Sequence, residues 1–177
     1  MEGEIEIAFR PVGSADVAAL ARWLSLPHVR PWFYGGGVDE SFVAREYEPV
    51  FAGSTSKRGF IIVLNGVDAG YAETYLGHDH EKFFTALNVD IAGTAGCDLL
   101  IGDLQFVGRG FGALVIRKFT DEVIFTDATV VRSIAGPDRR NERSQRAFAQ
   151  AGYQALHQVQ VPSDEAPAIV MQAISGP

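Results

Sequence analysis

A glycine-rich loop ahead of an amphipathic run constrains this chain more than any other stretch. Residues 107–112 read Val-Gly-Arg-Gly-Phe-Gly, with three glycines at alternate positions. Glycines let the backbone turn tightly and leave backbone N–H groups uncovered by side chains. A helix starting at Gly110 would direct these N–H groups and the positive end of its dipole toward one point. Apolar residues follow at helical spacing: Phe111, Leu114, Val115, Phe119 and Val123. The loop therefore predicts a phosphate or pyrophosphate site.

The loop alone does not identify the ligand. The dinucleotide-binding fingerprint has a different glycine spacing and needs an acidic residue at the end of a second strand. The phosphate-binding loop of NTPases contains Gly-Lys-Ser or Gly-Lys-Thr, which this sequence lacks. Two interpretations stay open: a shorter phosphate cradle, and a flexible turn before a helix.

Length and composition favour one globular domain over residues 1–177. Hydrophobic residues make up 47% of the chain, which is enough for a full core. The net charge of −7 disfavours a nucleic-acid surface and allows a polycationic substrate, although mild acidity can also serve only to keep a protein in solution.

Three features indicate a cytoplasmic protein. The single cysteine, Cys97, excludes an internal disulfide and fits a reducing compartment. Residues 1–4 carry neither the basic nor the apolar part of a signal peptide, and no run approaches the length of a membrane span. We expect a cytoplasmic monomer or homodimer that binds neither nucleic acid nor membrane.

Hydrophobic periodicity predicts a mixed α/β chain in the order β-α-α-β-β-β-α-β-α-β-β. The predicted strands cover residues 4–11, 59–64, 67–76, 96–102, 128–135, 153–161 and 167–174. Helices are predicted after a Ser14 cap, after an Asp39 cap, from the glycine loop to Phe125 and over residues 143–151. Asn65-Gly66 predicts a hairpin turn and Gly152 a helix C-cap. Residues 77–95 are polar and irregular, with a short turn over 81–84.

Several motifs carry a resemblance to a known superfamily. Residues 108–112 (Gly-Arg-Gly-Phe-Gly), 141–144 (Asn-Glu-Arg-Ser) and 148–153 (Phe-Ala-Gln-Ala-Gly-Tyr) resemble the coenzyme A signature of the GNAT N-acetyltransferases. Short matches over 23–33, 65–72, 96–98 and 167–168 resemble the aminoglycoside 6'-N-acetyltransferases. The likeness extends from about Ile7 to Gln172. It implies a GNAT fold, a mixed and mostly antiparallel sheet with parted central strands flanked by helices.

The resemblance implies acetyl-coenzyme A as co-substrate, an amine as acceptor, and no metal. In this fold a bulge frees a backbone N–H of the strand that carries Asp98, which binds the thioester carbonyl where negative charge develops. The residues expected at the cofactor are Leu100, Ile101, Val107, Gly108, Arg109, Gly110, Phe111, Gly112, Asn141 and Phe148.

Asp98 is the predicted catalytic residue. Acetyl transfer to an amine needs a group that holds the ammonium and accepts its proton, directly or through water. Aspartate is disfavoured in strands, and Asp98 lies between Cys97 and Leu99 in a predicted strand. The alternative is an outward-facing residue on the polar side of the sheet. The matching aspartate of the aminoglycoside enzymes serves as base and binds the acceptor amine, so the resemblance favours the catalytic interpretation.

A polycationic sugar needs carboxylates around a slot and an aromatic wall for its rings. The predicted substrate-binding residues are Trp32, Glu73, Tyr75, Asp79, Asp98, Asp138 and Glu165. For the acids other than Asp98, a solvated surface position is the alternative. Residues 78–80, His-Asp-His, fit an exposed loop better than a metal site, and Cys97 fits a small core residue better than a nucleophile.

The chain departs from the family at three positions. Val107 stands where Gln or Arg is frequent, and Gly136 stands where nearer relatives have Asp, so that a substrate carboxylate is lost or moved to Asp138. Phe148 stands where a tyrosine is proposed to protonate the leaving thiolate. Without that tyrosine the thiolate leaves unprotonated, water supplies the proton, or the proton of the product amide is relayed.

The predicted function is acetyl transfer to the 6'-amine of aminoglycosides, which confers antibiotic resistance. The first alternative is a siderophore-pathway acyltransferase that acts on an N-hydroxylated lysine-type amine. That family shares residues 100–103 and 137–141 well. The second alternative is a non-catalytic acyl-coenzyme A sensor, which only Phe148 favours.

Overall fold

The computed structural model describes residues 5–162 and 164–176, and all statements below concern those ranges. The strands are β1 (Ile7–Pro11), β2 (Arg58–Leu64), β3 (Val67–Leu76), β4 (Thr94–Ile101), β5 (Arg132–Ala135), β6 (Gln154–Val159) and β7 (Ala168–Ile174). The α-helices are α1 (Val17–Leu24), α2 (Glu40–Glu46), α3 (Glu48–Phe51), α4 (Glu81–Ala86), α5 (Phe111–Phe119) and α6 (Glu142–Gln150). None of the described helices has the length and apolarity needed to cross a membrane.

The strands form one sheet in the order β1-β2-β3-β4-β5-β7-β6. The pairs β1–β2, β5–β7 and β6–β7 are antiparallel, whereas β4 and β5 are parallel. The predicted fold class is confirmed, because the sheet is mixed and mostly antiparallel and helices separate its strands along the chain.

The chain forms two compact units. The first comprises the N-terminal part through Glu73 together with Leu99–Phe111, and the second comprises Thr74–Asp98 together with the chain from Gly112 onwards. Both units therefore contain part of β3 and part of β4. One domain over residues 1–177 stays a prediction.

The core of the first unit is built on the apolar face of α1. Leu20, Trp23 and Leu24 are almost completely buried and pack with residues of β2 and β4, among them Ile61 and Leu100. Gly102 directly follows β4 and lies against the Trp23 ring. Any side chain at residue 102 would enter the space of that ring, so α1 fixes the chain where it leaves β4 toward the glycine loop.

The core of the second unit contains α4, which the sequence predicts only as a short turn. Phe84 and Leu87 pack with Tyr75 of β3 and with Ile134 and Val170 of the sheet. Only two buried apolar residues mark this segment, which is too few for helical periodicity to be recognised.

Several local predictions are confirmed. The Asp39 carboxylate accepts the Phe42 N–H at 2.7 Å and caps α2. Asn65 and Gly66 have φ angles of 50° and 76°, as the predicted hairpin turn requires. Gly152 follows α6 with φ of 104°.

The predicted Ser14 cap is wrong. A 3-10 turn over Ser14–Asp16 precedes α1, and Gly13 is its N-cap. The Asp16 carboxylate accepts the Gly13 N–H at 2.9 Å and is held by Arg10 at 2.7 Å. This hydrogen bond from Arg10 is the main reason why the pKa of Asp16 lies below its ordinary value. An ion pair, rather than a serine hydroxyl, therefore starts the helix.

Some predicted boundaries also shift. The helix after the glycine loop begins at Phe111 instead of Gly110, because Gly110 has a φ of 83° that no helix residue adopts. It becomes π-helical at Thr120 instead of continuing regularly to Phe125. Strand β5 begins at Arg132 rather than residue 128, because Asp127 caps a turn by accepting the Thr129 N–H at 2.9 Å. Strand β1 begins at Ile7, and Glu4 lies outside the described residues.

Gly102→Ala is expected to lower the free energy of unfolding by roughly 1–3 kcal/mol, because the new methyl group overlaps Trp23. Chemical denaturation followed by Trp fluorescence measures the change. Gly13→Ala is the control, since no atom lies within 4 Å of a Cβ added there. Equal stability of the two variants would contradict the close packing of Gly102 on Trp23.

Candidate active site

Asp98 lies in the second unit and is bound by a buried tyrosine. The Tyr75 hydroxyl donates a hydrogen bond to Asp98 Oδ2, with the two oxygens 2.7 Å apart. Tyr75 is 6% exposed, and Asp98 is half-buried. This hydrogen bond orients the carboxylate. The catalytic role of Asp98 stays a prediction.

Gly96 makes room for that hydrogen bond. Residues two apart in a strand share a face, so Gly96 and Asp98 point to the same side of β4. A Cβ added at Gly96 would overlap the Tyr75 ring and lie 2.8 Å from its hydroxyl oxygen. The Tyr75 ring thus lies across the bare backbone of Gly96 and reaches Asp98 with its hydroxyl.

Strands β4 and β5 pair only over a short stretch. Their parallel register runs from Thr94↔Arg132 to Gly96↔Ile134, whereas β4 itself continues to Ile101. Asp98 therefore lies beyond the paired stretch. This placement agrees with the expectation that the strands part beside the predicted catalytic carboxylate. That a backbone N–H of β4 binds the thioester carbonyl stays a prediction.

Cys97 points to the opposite face of β4 and is 1% exposed. Burial, and to a smaller extent the charge of Asp98, raise the pKa of the Cys97 thiol far above its ordinary value. The thiol therefore stays protonated, which argues against a nucleophilic cysteine. Within the described ranges, no group of three or more His, Cys, Asp or Glu side chains is placed to hold a metal ion.

The glycine loop has the geometry of an open backbone cradle. Gly108 and Gly110 have φ angles of 81° and 83°, a conformation that favours glycine. No atom lies within 4 Å of a Cβ added at Gly110, and α5 begins at the next residue. Arg109 places its guanidinium 5.5 Å from the ring centre of Phe111. Uncovered N–H groups at a helix start suit a pyrophosphate.

The other residues predicted at the cofactor have structural partners. Val107 is half-buried, and its N–H closes a turn on the Leu104 carbonyl at 3.3 Å. Leu100 belongs to the core of the first unit, and the Ile101 carbonyl at the end of β4 accepts a hydrogen bond from His28 Nε2 at 3.0 Å.

Helix α6 of the second unit carries two more of them. Asn141 caps α6 by accepting the Ser144 N–H at 3.1 Å. Phe148 is buried, with its ring edge-on to Tyr153 at 4.9 Å. Gly112 of α5 faces α6, since a Cβ added there would lie 3.6 Å from Ala147 Cβ, an ordinary van der Waals distance. The assignment of each residue to the cofactor stays a prediction.

Glu73 lies in the first unit with both carboxylate oxygens occupied. Lys57 donates to Oε1 and the Tyr71 hydroxyl donates to Oε2, each at 2.9 Å. Burial, followed by the charge of Glu73, raises the pKa of Tyr71, which therefore remains a donor. A substrate cation at Glu73 would have to compete with Lys57 for the same carboxylate.

Asp138 and Glu165 are brought together by Arg140 in the second unit. The Arg140 side chain makes two hydrogen bonds to Asp138, at 2.8 and 3.1 Å, and its Nη1 lies 3.5 Å from Glu165 Oε2. Hydrogen bonding from Arg140 lowers the pKa of Asp138 below its ordinary value. One arginine therefore already pairs with both acids.

Asp79 precedes a residue that contacts Tyr75, the hydrogen-bond partner of Asp98. Asp79 ends a 3-10 turn over Gly77–Asp79, and the next residue, His80, packs edge-on against Tyr75 with ring centres 4.9 Å apart. Phe83 adds a second ring, 5.8 Å from that of Tyr75 and 41% exposed. Sequence reasoning missed His80 and Phe83 because their segment was predicted to be irregular.

The two predicted aromatic wall residues have different surroundings. Trp32 is 37% exposed in the first unit, as a residue available to a ligand would be. Tyr75 is buried, and its hydroxyl is committed to Asp98. The structure therefore favours a role for Tyr75 in holding Asp98, rather than a role as an aromatic wall for the substrate.

Comparison with known proteins identifies the family. Residues 13–161, more than half of the chain, match the acetyltransferase (GNAT) domain family. The chain belongs to this family and is an acetyl-coenzyme A-dependent N-acetyltransferase. Acetyl-coenzyme A supplies the acetyl group as a thioester, and the binding of its pyrophosphate at the glycine loop stays a prediction.

Individual relatives agree with this identification. The chain is 27% identical over 167 residues to the aminoglycoside N(6')-acetyltransferase type 1 of Klebsiella pneumoniae, covering 93% of this chain and 81% of that protein. It is 27% identical over 140 residues to the lysine N-acyltransferase MbtK of Mycobacterium tuberculosis, covering 77% of this chain and 63% of that protein. The structure of AAC(6')-Ib in complex with ribostamycin and coenzyme A is similar with a TM-score of 0.83 and 26% identity, covering 96% and 93% of the two chains.

Gly96→Ala is expected to lower kcat/KM by roughly tenfold to hundredfold, because the added methyl group displaces Tyr75 and thereby Asp98. Thiol release from acetyl-coenzyme A measures turnover, and calorimetric binding of coenzyme A shows whether the variant is folded. Tyr75→Phe removes only the hydroxyl and should lower kcat/KM in the same direction. Gly176→Ala, in open space, is the control. Full activity of both Gly96→Ala and Tyr75→Phe would show that the contact is not needed.

Proposed function

We propose that this protein transfers the acetyl group of acetyl-coenzyme A to the 6'-amine of aminoglycosides. The observation that carries the proposal is the extent of the likeness to an aminoglycoside N(6')-acetyltransferase, which covers 93% of the chain and includes the Asp98 strand and the glycine loop. Resistance to aminoglycosides would be the biological consequence.

Asp98 is the group that receives the acceptor amine in this proposal. An amine attacks only when neutral, so the ammonium of the substrate must lose a proton before or during attack. A half-buried carboxylate holds the ammonium by charge and then accepts its proton, directly or through one water. The Tyr75 hydrogen bond to Oδ2 keeps the carboxylate in one orientation during both steps.

Acceptor recognition would depend on only some of the predicted acids. Glu73 is paired with Lys57, and Asp138 and Glu165 share Arg140. A substrate ammonium at these positions would displace a protein cation and gain little net charge interaction. We therefore assign the main ammonium contacts to Asp98 and Asp79, since the ion-pair partner of Asp79 is His78 at 3.4 Å, which carries a charge only when it is protonated.

The leaving thiolate would receive its proton from water. Phe148 has no acidic hydrogen, and it is buried against Tyr153. Coenzyme A thiolate is also a weak enough base to leave without a dedicated acid at neutral pH, since thiols ionise near pH 8.5. Phe148 is therefore compatible with catalysis, which removes the one feature that favours a non-catalytic sensor.

A lysine-type amine is the second candidate acceptor. The likeness to a lysine N-acyltransferase covers 77% of this chain and supports this candidate. A lysine side chain offers one amine on a flexible stem, whereas an aminoglycoside offers several amines on rigid rings, so the two differ in how many carboxylates they need.

An acceptor panel tests the proposal. We expect thiol release with an aminoglycoside that carries a 6'-amine. We expect none with a matched compound that carries a 6'-hydroxyl. Product mass spectrometry would show one added acetyl group. Turnover with N-hydroxylysine and with none of the aminoglycosides would contradict the proposal and support the second candidate.

Asp98→Asn is expected to reduce kcat/KM by about two orders of magnitude or more, because the amide cannot accept the ammonium proton. The affinity for coenzyme A should stay the same, since the glycine loop is unchanged. Asp68→Asn is the control, because Asp68 is an exposed acid that pairs with Arg10 in the first unit. Unchanged turnover in Asp98→Asn would remove Asp98 from the mechanism.

A further inference from the structure

His28 joins two distant segments of the first unit. Its Nε2 lies 3.0 Å from the carbonyl oxygen of Ile101, the last residue of β4, and 73 positions separate the two residues along the chain. A carbonyl oxygen only accepts hydrogen bonds, so the ring must carry a hydrogen on Nε2. His28 thus satisfies the last carbonyl group of β4 with a side chain from outside the sheet.

Residues 101–105 connect β4 to the glycine loop, and we call them the loop stalk. The N–H groups of Gly102 and Asp103 both donate to the Ala69 carbonyl, at 2.8 and 3.0 Å, in the two-against-one pattern of a β-bulge. The Asp103 carboxylate then accepts the Gln105 N–H at 2.9 Å. The loop stalk therefore leaves the sheet with its backbone hydrogen-bonded at successive residues.

The loop stalk also contacts the glycine loop. Arg109 Nη1 donates to the Gln105 backbone carbonyl at 3.3 Å. Phe106, the next residue, is 6% exposed, and its ring lies 5.9 Å from that of Phe111. Glycines lose more conformational freedom on ordering than other residues, so a glycine-rich loop binds a ligand at lower cost when its end is already fixed.

His28 is itself held in place by the end of α1. Val29, the next residue, belongs to the core of the first unit, and its N–H donates to the Leu26 carbonyl at 2.9 Å. The Trp23 ring of α1 packs on Gly102 of the loop stalk. Ring packing limits how closely the stalk can approach, whereas the hydrogen bond from His28 is directional and orients one peptide group.

We propose that His28 is a positioning residue for coenzyme A. Its Nε2–H orients the peptide group between Ile101 and Gly102, and the loop stalk passes this orientation to the glycine loop that receives the pyrophosphate. The proposal rests on the binding of acetyl-coenzyme A at the glycine loop and is independent of which amine accepts the acetyl group. A loop that is ordered before its ligand arrives binds more tightly, because less conformational freedom is lost on binding.

Two amide variants of His28 test the proposal through the affinity for coenzyme A, measured by calorimetry. His28→Gln places an amide N–H about as far along the side chain as Nε2, whereas His28→Asn places one near the position of Nδ1. We expect the Kd of His28→Gln to stay within about twofold of the wild-type value. The Kd of His28→Asn should rise roughly three- to tenfold, as the loss of one hydrogen bond predicts. With an amine that the wild-type enzyme acetylates, kcat at saturating acetyl-coenzyme A should change by less than about twofold in both variants.

Ser25→Ala separates positioning from stability. Ser25 follows α1 directly, and its Oγ lies 2.8 and 2.9 Å from the carbonyl oxygens of Ala21 and Val38. This variant loses hydrogen bonds to the backbone near His28 without touching the loop stalk. We expect a lower melting temperature and an unchanged Kd for coenzyme A.

The outcomes are distinct. A wild-type Kd in His28→Asn would overturn the role of His28, and so would equal Kd values in His28→Asn and His28→Gln. An equal rise of Kd in Ser25→Ala would also overturn it, because general loosening would then explain the effect. Should the variants not fold, nitrogen NMR of the wild-type protein decides: a neutral His28 ring with its hydrogen on Nδ1 instead of Nε2 would contradict the proposal.

Gly110→Ala tests the assumption about the loop. Gly110 has a φ angle of 83°, which alanine rarely adopts, so the substitution should distort the loop and raise the Kd for coenzyme A about tenfold or more. An unchanged Kd would place coenzyme A elsewhere and overturn the role of His28 with it. Binding of coenzyme A needs no acceptor, so the proposed acetylation of aminoglycosides is decided separately by the acceptor panel.

Discussion

The end of the parallel pairing between β4 and β5 is the constraint on which the candidate site depends. A strand that leaves its ladder exposes N–H groups that a ligand can use, but it also loses the hydrogen bonds that fix its position. Here the register ends at Gly96↔Ile134, and the catalytic candidate Asp98 comes two residues later. Strand β4 also neighbours β3 in the sheet, and the Tyr75 side chain adds a hydrogen bond to the Asp98 carboxylate itself.

Tyr75 contributes to holding Asp98 in place. Its ring crosses Gly96 and its hydroxyl binds the Asp98 carboxylate. A phenol suits this purpose because its ring fills core space and its hydroxyl satisfies a buried partner. The arrangement requires a glycine at position 96, because a Cβ there would overlap the Tyr75 ring.

How much the sequence predicts depends on how local the interaction is. The glycine loop, the Asp39 cap and the Asn65-Gly66 turn are each decided by neighbouring residues, and the structure agrees with all three. The Tyr75–Asp98 hydrogen bond joins residues that lie 23 positions apart, and its recognition needs the packing of Tyr75 on Gly96. Tyr153 is predicted to end the coenzyme A signature and to start a strand, whereas β6 begins at Gln154. Nothing near Tyr153 in the sequence indicates that its hydroxyl lies within hydrogen-bond distance of Thr120 and Ser133.

The same difference explains why acidic residues are a poor guide to the acceptor site. The sequence shows a net charge of −7 and several acids in loops, and each looks equally available to a polycation. Lys57 and Arg140 change this, because they pair with Glu73, with Asp138 and with Glu165. A substrate amine that binds a paired acid replaces one ion pair with a similar one. It therefore gains only the difference in free energy between the two pairs. We propose that selection among amines comes instead from the geometry around Asp98, whose partner Tyr75 packs against the rings of His80 and Phe83.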